Sequence, residues 1–378
     1  MPDPSLLLGH AATVDRLRRL AEAGELTHAM LFTGPDGVGK TTAALELAVG
    51  VVGAAGWPGG PLSHPDLWVE DGSAENLSIE RVKPGGKEGP TLQDFLALRP
   101  YAGGRRVALL ARADRLTEQA ANCLLKTIEE PPAGSHLVLT AAHPEKLPET
   151  VISRCEHIVL RPVASSDIGR WLETRHSVDP ERAGVAAALA AGAPGRALRL
   201  ATETGVLAAE LDALDRFLAT GGGGVVGALR TAAAVAPGAG AEGREQGLAT
   251  LSAWSSFVRD AACFATGAPE LALWTAYRPA LERWAEELPA ERIVVILGRI
   301  VAAGEAVAAY AQPRLAFETL LLDIFAGSDS PPAVEPPKRP AALAALSDAA
   351  TGDRGPRRRG APRGKPRAAG SRSPAAAR

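Results

Sequence analysis

Residues 34–41 read GPDGVGKT, which satisfies the G-x-x-x-x-G-K-[ST] spacing of a phosphate-binding loop. Gly34, Gly37 and Gly39 let the backbone turn so that successive N–H groups face inward, toward phosphate oxygens. Lys40 adds a positive charge near the outer phosphates, and Thr41 offers a hydroxyl to Mg²⁺. Val38 lies inside the loop and Thr42 follows in the first turn of the next helix, whose N-terminal partial charge also favours phosphate. The candidate nucleotide-binding set is therefore Gly34, Gly37, Val38, Gly39, Lys40, Thr41 and Thr42. The expected ligand is ATP or ADP, with Mg²⁺ when it is bound.

Cleavage asks for more than a cradle. A hydrolytic site also needs an acid at the end of a neighbouring strand to hold the metal, and usually a carboxylate to activate water. The candidate strand is Val107–Leu110, but the next residues are Ala111 and Arg112, neither of which can do either task. Asp114 comes later, beyond where the strand should end. The pocket reads as able to bind nucleotide and poorly equipped to cleave it.

The elements around the loop fit the chemistry. Ala29–Phe32 is a short apolar run before the loop, and TTAALELAVGVV is a helical stretch after it. Residues 11–24 form an amphipathic helix with Val14, Leu17 and Leu20 at helical spacing. Segment 53–64 is turn-rich; 67–69 and 137–140 are expected strands, and 91–98 a helix. A further helix over 118–130 places Ala121, Leu124, Leu125 and Ile128 on one face and stops at Pro131-Pro132. Alternation of this kind implies a parallel α/β sheet. From 163 onward the pattern is helical only, with short helices over 165–176, 180–191 and 194–203. Longer ones follow, carried by LAAELDALDRFLAT, REQGLATLSAWSSFVRDAACFA and ERIVVILGRIVAAGEAVAAYA. After Ala326 a Pro-rich stretch and an Arg/Pro/Ala tail read as disordered.

Net charge over the 378 residues is −2, an average that hides an asymmetry. Residues 353–378 hold nine Arg or Lys against Asp353 alone, leaving 32 bases and 42 acids elsewhere. By net charge the folded part is not an obvious DNA-binding surface, whereas the tail could touch phosphates through salt-sensitive contacts. Cys123, Cys155 and Cys263 are too few for a disulfide framework and lack metal-ligand spacing. No apolar run is long enough to span a membrane and the N-terminus lacks a leader pattern, so the expectation is a cytoplasmic protein.

Segments ADRLTEQAANCLLKTIEEPP (113–132) and HPEKLPETVISRC (143–155) closely resemble the bacterial DNA polymerase III clamp-loader subunits. The opening LLGHAATVDRLRRL, the stretch HAMLFTGPDGVGKTT, HPDL at 64–67, RPYAGGRRV and PRLAFETLLLDIF (313–325) fit the same family. The resemblance implies an α/β P-loop AAA+ core (1–162), a small helical lid (163–205) and an all-α collar (206–327) that closes a five-subunit ring. A disordered tail (328–378) would follow. It further implies gamma/tau and delta subunits, the beta sliding clamp and primed DNA as partners, and no membrane. In that family the hydrolysing gamma/tau branch carries a DE pair where this chain has Ala111 and Arg112, and a phosphate-sensing threonine where it has Ala141. That branch also carries a lid arginine where this chain has Gly195, with Arg196 one place later. All three departures resemble the non-hydrolysing delta-prime branch. A four-cysteine zinc module is common before HPDL; GWPGGPLS stands there instead, so no zinc is expected.

The resemblance also singles out Arg154, in ISRC. In the family this arginine reaches the γ-phosphate held by the neighbouring subunit, a trans-acting arginine finger. The plainer alternative is a surface arginine paired with an acid such as Glu156. Lys126, Glu129 and Glu130 read as solvated helix-end charges, His64 as structural, and Trp57, Trp68, Trp171 and Trp254 as packing residues. Two rivals remain open at this level: an active gamma/tau-type ATPase, and a P-loop motor in another ring, such as one for branch migration.

Overall fold

The computed structural model describes residues 7–72, 79–85, 90–101, 104–203, 205–236, 238, 240–274, 277–309, 311–327 and 329–335. Five parallel strands form one sheet: β1 (Ala29–Thr33), β2 (Leu67–Glu70), β3 (Arg106–Leu110), β4 (Ser135–Ala141) and β5 (Glu156–Val159), in the order β2-β3-β4-β1-β5. Every pairing is parallel, for example Ala29 beside Leu137 and Met30 beside Glu156. Because all strands run the same way, the sheet has one edge of strand ends and an opposite edge of strand starts.

Period-two alternation sends neighbouring residues to two different cores. Met30, Phe32, Val107, Leu109 and Val138 pack under α1 (Ala11–Ala23) and α2 (Lys40–Val52). Ala29, Leu31, Ala108, Leu110, Leu137 and Leu139 face the other way, against α3 (Leu92–Ala97), α4 (Glu118–Glu129) and α5 (Glu149–Ile152). Burial on both faces explains why these strands read as unbroken apolar runs. Local chemistry sets the helix ends. Gly24 closes α1 in the left-handed conformation, and Thr91 and Thr117 cap α3 and α4 by accepting from Asp94 N and Ala120 N. On α4 the buried residues are Ala120, Ala121, Leu124 and Ile128, while Leu125 is only half-buried. Segment 53–64 holds one 3₁₀ turn, Pro61–Ser63.

The remaining helices are α6 (Ser165–His176), α7 (Pro180–Leu189), α8 (Pro194–Thr202), α9 (Val206–Leu218), α10 (Gly224–Val235) and α11 (Gly240–Ala265). They are followed by α12 (Arg278–Glu287), α13 (Ala290–Ala308) and α14 (Pro313–Phe325). One hydrophobic core runs through all of them, from Val163 to Val334, without a break near 205. At its centre Phe217 stacks on Trp254 with ring centroids 4.6 Å apart and meets Phe325 edge-on at 5.3 Å. The buried Asp260 accepts from Leu273 N (2.6 Å) and Trp274 N (2.8 Å), which pins the turn before α12.

The expectation of a tail from 328 needs correcting at its near end. Val334 is buried in the common core and its N–H donates to Leu218 O (3.1 Å), while Asp329 pairs with Arg292 (3.1 Å). Gly221 lets this segment approach; a β-carbon there would lie 2.2 Å from Ala333 N. The basic residues of 353–378 lie outside the described residues.

Candidate functional site

The loop joins the end of β1 to the start of α2, at the strand-end edge of the sheet. Gly34 has φ 143°, and a β-carbon there would stand 2.2 Å from Leu160 O, so only glycine fits. Gly37 (φ 76°) and Gly39 (φ 107°) complete the turn, with Gly39 as the N-cap of α2. Val38 is the anchor, buried in the α1–α2 core. Thr41 and Thr42 occupy the first turn of α2 and are half-buried. Lys40 is 7% exposed; its Nζ donates to Gly34 O and Pro35 O (2.9 Å each) and lies 3.6 Å from Asp36. Burial pulls the ammonium below its ordinary pKa, partly offset by Asp36 and Asp114. The seven residues singled out for phosphate therefore come together in one cradle, around a cation that water solvates poorly.

Two further elements close over it. His10 sits at the N-cap of α1, bonds the Val38 backbone, and keeps a buried Nε2 without a partner; burial lowers its pKa. The N-terminus of α8 reaches the loop tip, where Gly195 N donates to Gly37 O (2.9 Å). A β-carbon on Gly195 would stand 3.2 Å from Gly37 O, so a side chain at 195 would press directly on the loop. Arg196 points away, into the helices beyond. Its guanidinium bonds Ser252 Oγ (2.6 Å), Glu210 Oε2 (2.9 Å) and Ala249 O (3.2 Å). It ties the loop tip to α9 and α11.

At the end of β3, Ala111 is buried and donates to Glu70 O, and Arg112 turns into the left-handed region (φ 53°) with its N–H on Thr140 Oγ1 (3.1 Å). The one threonine near the end of β4 thus spends its hydroxyl on backbone, and Ala141 beside it has no polar side chain. Asp114 follows in the single 3₁₀ turn Ala113–Arg115. Its Oδ1 is buried without a hydrogen-bond partner, and its charge acts on Lys40. In the sequence Asp114 lies past the end of the strand; the left-handed kink at Arg112 (φ 53°), rare for a non-glycine residue, is not encoded in that spacing.

Arg154 lies just before β5, and so at the strand-start edge of the sheet, opposite the loop. A four-residue strand spans about 13 Å, so Arg154 does not serve its own cradle. Its Nε pairs with Glu129 Oε1 (2.8 Å) at the end of α4, and its Nη1 donates to Thr150 O (3.0 Å). The partner anticipated for Arg154, Glu156, is otherwise engaged: it accepts from Thr27 Oγ1 (2.5 Å) and lies 3.7 Å from Arg16. The guanidinium remains 42% exposed. Burial pushes the neighbouring Cys155 thiol up to about 11, so it stays protonated at neutral pH.

Residues 60–164, which carry Asp114 and Arg154, match the family model described as DNA polymerase III, delta subunit. Over that stretch the chain is similar to clamp-loader subunits of DNA polymerase III. Curated relatives include DNA polymerase III subunit tau of Salmonella typhimurium, 32% identical over 173 residues (44% of this chain, 27% of the relative). DNA polymerase III subunit delta' of Bacillus subtilis is 31% identical over 153 residues (38% and 44%). The replication factor C small subunit of Methanococcus vannielii is 28% identical over 183 residues (47% and 53%). The chain thus spans between about a quarter and about half of the length of these relatives. Among solved structures, a DNA polymerase III gamma subunit-related protein from Thermotoga maritima is 18% identical, with a TM-score of 0.39, over 82% of this chain and 97% of that one. No helix among the described residues is long and apolar enough to cross a membrane.

Proposed function

We propose that this chain is the delta-prime-type subunit of a DNA polymerase III clamp loader. It binds ATP or ADP with Mg²⁺ in the Gly34–Thr42 cradle, does not hydrolyse it, and presents Arg154 to the nucleotide of an adjacent gamma/tau subunit. The observation that carries this reading is the pair Ala111 and Arg112 at the strand end, where a hydrolytic site needs its carboxylates. The Arg112 guanidinium puts positive charge where a general base would be required. Support for the trans role comes from the opposite edge: Arg154 is half exposed and too far round the sheet for its own loop.

The chain divides, on this reading, into an AAA+ core (1–162), a lid (163–205) and a collar (206–327), against which residues 329–335 pack before the tail. The collar closes the ring with the gamma/tau and delta subunits, and the ring places the beta sliding clamp on primed DNA in the cytoplasm. Exposed Val225, Val226 and Leu229 on α10, and Val294, Val295 and Val301 on α13, supply apolar faces for such contacts. The test is ATPase activity of the chain alone and reconstituted with gamma/tau, delta, clamp and primed DNA. The chain alone should be silent, and the reconstituted rate should survive Lys40→Ala in this chain. Turnover by the isolated chain that vanishes with Lys40→Ala would mark a gamma/tau-type ATPase instead.

A further inference from the structure

A carboxylate oxygen buried without a partner costs free energy, about 1–3 kcal/mol for an ordinary polar group and more for a charged one. Asp114 Oδ1 is such an atom. It stands one 3₁₀ turn beyond the end of β3, three residues after Ala111, which occupies the ordinary position for the metal-holding acid. Lys40 attracts this charge without hydrogen-bonding it: the Nζ spends its close hydrogen bonds on the carbonyls of Gly34 and Pro35. The Arg112 backbone is likewise committed, to Thr140. What remains is an unsatisfied anionic atom beside a phosphate cradle, with the Thr41 hydroxyl at the start of α2 as a second oxygen donor.

We propose that Asp114 takes over the metal-holding task lost at position 111, binding the Mg²⁺ of the nucleotide from the turn rather than from the strand. Mg²⁺ keeps several waters and is held by one or two carboxylates plus phosphate oxygens, a demand that one carboxylate and one hydroxyl meet. The same arrangement explains retention without turnover. Metal and phosphates are held, but the position for a water-activating base carries Arg112. The proposal rests on the cradle binding nucleotide, and it adds a ligand that the motif does not specify. The electrostatic pull of Asp114 on Lys40 agrees with its facing the cradle.

The test is calorimetric binding of ADP and ATP to the full chain, with Mg²⁺ and with EDTA, for the wild type, Asp114→Asn, Asp114→Ser and Asp36→Asn, each checked for folding by circular dichroism. The wild type should bind nucleotide about ten-fold more tightly with Mg²⁺ than without, and both Asp114 variants should lose most of that ratio while keeping their metal-free affinity. Mn²⁺ bound with ADP, read by water-proton relaxation, should be lost in parallel. An unchanged Mg²⁺ ratio in the Asp114 variants would overturn the proposal, as would loss of the ratio in Asp36→Asn alone. A wild type that binds nucleotide with no preference for Mg²⁺ would overturn it and leave the cradle standing. A wild type that binds no nucleotide would remove the cradle reading and this one with it.

Discussion

Arg196→Met isolates the tie between the loop tip and the helices behind it. Methionine keeps most of the stem and removes the guanidinium, stranding a Glu210 carboxylate that is 9% exposed. Breaking a buried pair costs about 3–5 kcal/mol. Arg196 is itself 16% exposed and also serves Ser252 and Ala249, whose groups can find other partners, so the lower end applies. The expected loss is about 3 kcal/mol in urea unfolding. Glu210→Met alone should cost less, because the guanidinium keeps two hydrogen bonds. The double variant should recover more than half of the Arg196→Met loss, giving a coupling energy of about 1–3 kcal/mol in the cycle. A single-variant loss under about 1 kcal/mol, or strictly additive variants, would refute the view that this pair is a structural tie.

Other expectations follow from the same geometry. Gly34→Ala should abolish nucleotide binding in calorimetry and destabilise the core by about 1–3 kcal/mol, since the new methyl meets Leu160 O at 2.2 Å with φ at 143°. Burial raises the Glu210 pKa above its ordinary value, so the folded chain holds this proton more tightly than the unfolded one. Stability from this group is then fullest below the ordinary carboxylate range and is lost as pH rises through the raised folded pKa. Denaturant titrations should show Glu210→Gln gaining on the wild type across that rise; a constant difference would contradict the sign. Lys40→Met should weaken ATP binding at least ten-fold by fluorescence titration, as expected where a lysine holds the outer phosphates.

The central sheet was legible because its strands are buried on both faces and read as unbroken apolar runs between turn signals. β5 escaped notice: Glu156–Val159 is short, starts on two polar residues, and gains its pairing only from β1. α10 was missed because GVVGALRTAAAV begins at Gly224 and offers little helical periodicity, its stability coming from packing on α14. The Gly34–Thr42 motif stands out in the sequence, and the structure sets it between β1 and α2. Asp114 and His10 do not stand out, since each reaches the cradle through backbone turns, at Arg112 and Gly9, that no spacing rule encodes. The partner of Arg154 was misjudged for a similar reason. Glu156 is near in sequence, but Glu129 is the acid that α4 brings alongside.

The most direct test of the account is the DNA-stimulated ATPase of the reconstituted loader carrying Arg154→Ala in this chain. The Arg154–Glu129 pair is about half exposed on both sides, so the substitution should change stability by less than about 1 kcal/mol and leave assembly intact. The rate at the adjacent site should fall by a factor of about 10³, the scale of a missing arginine finger. An unchanged rate in an intact ring would contradict the claim that this chain completes its neighbour's active site.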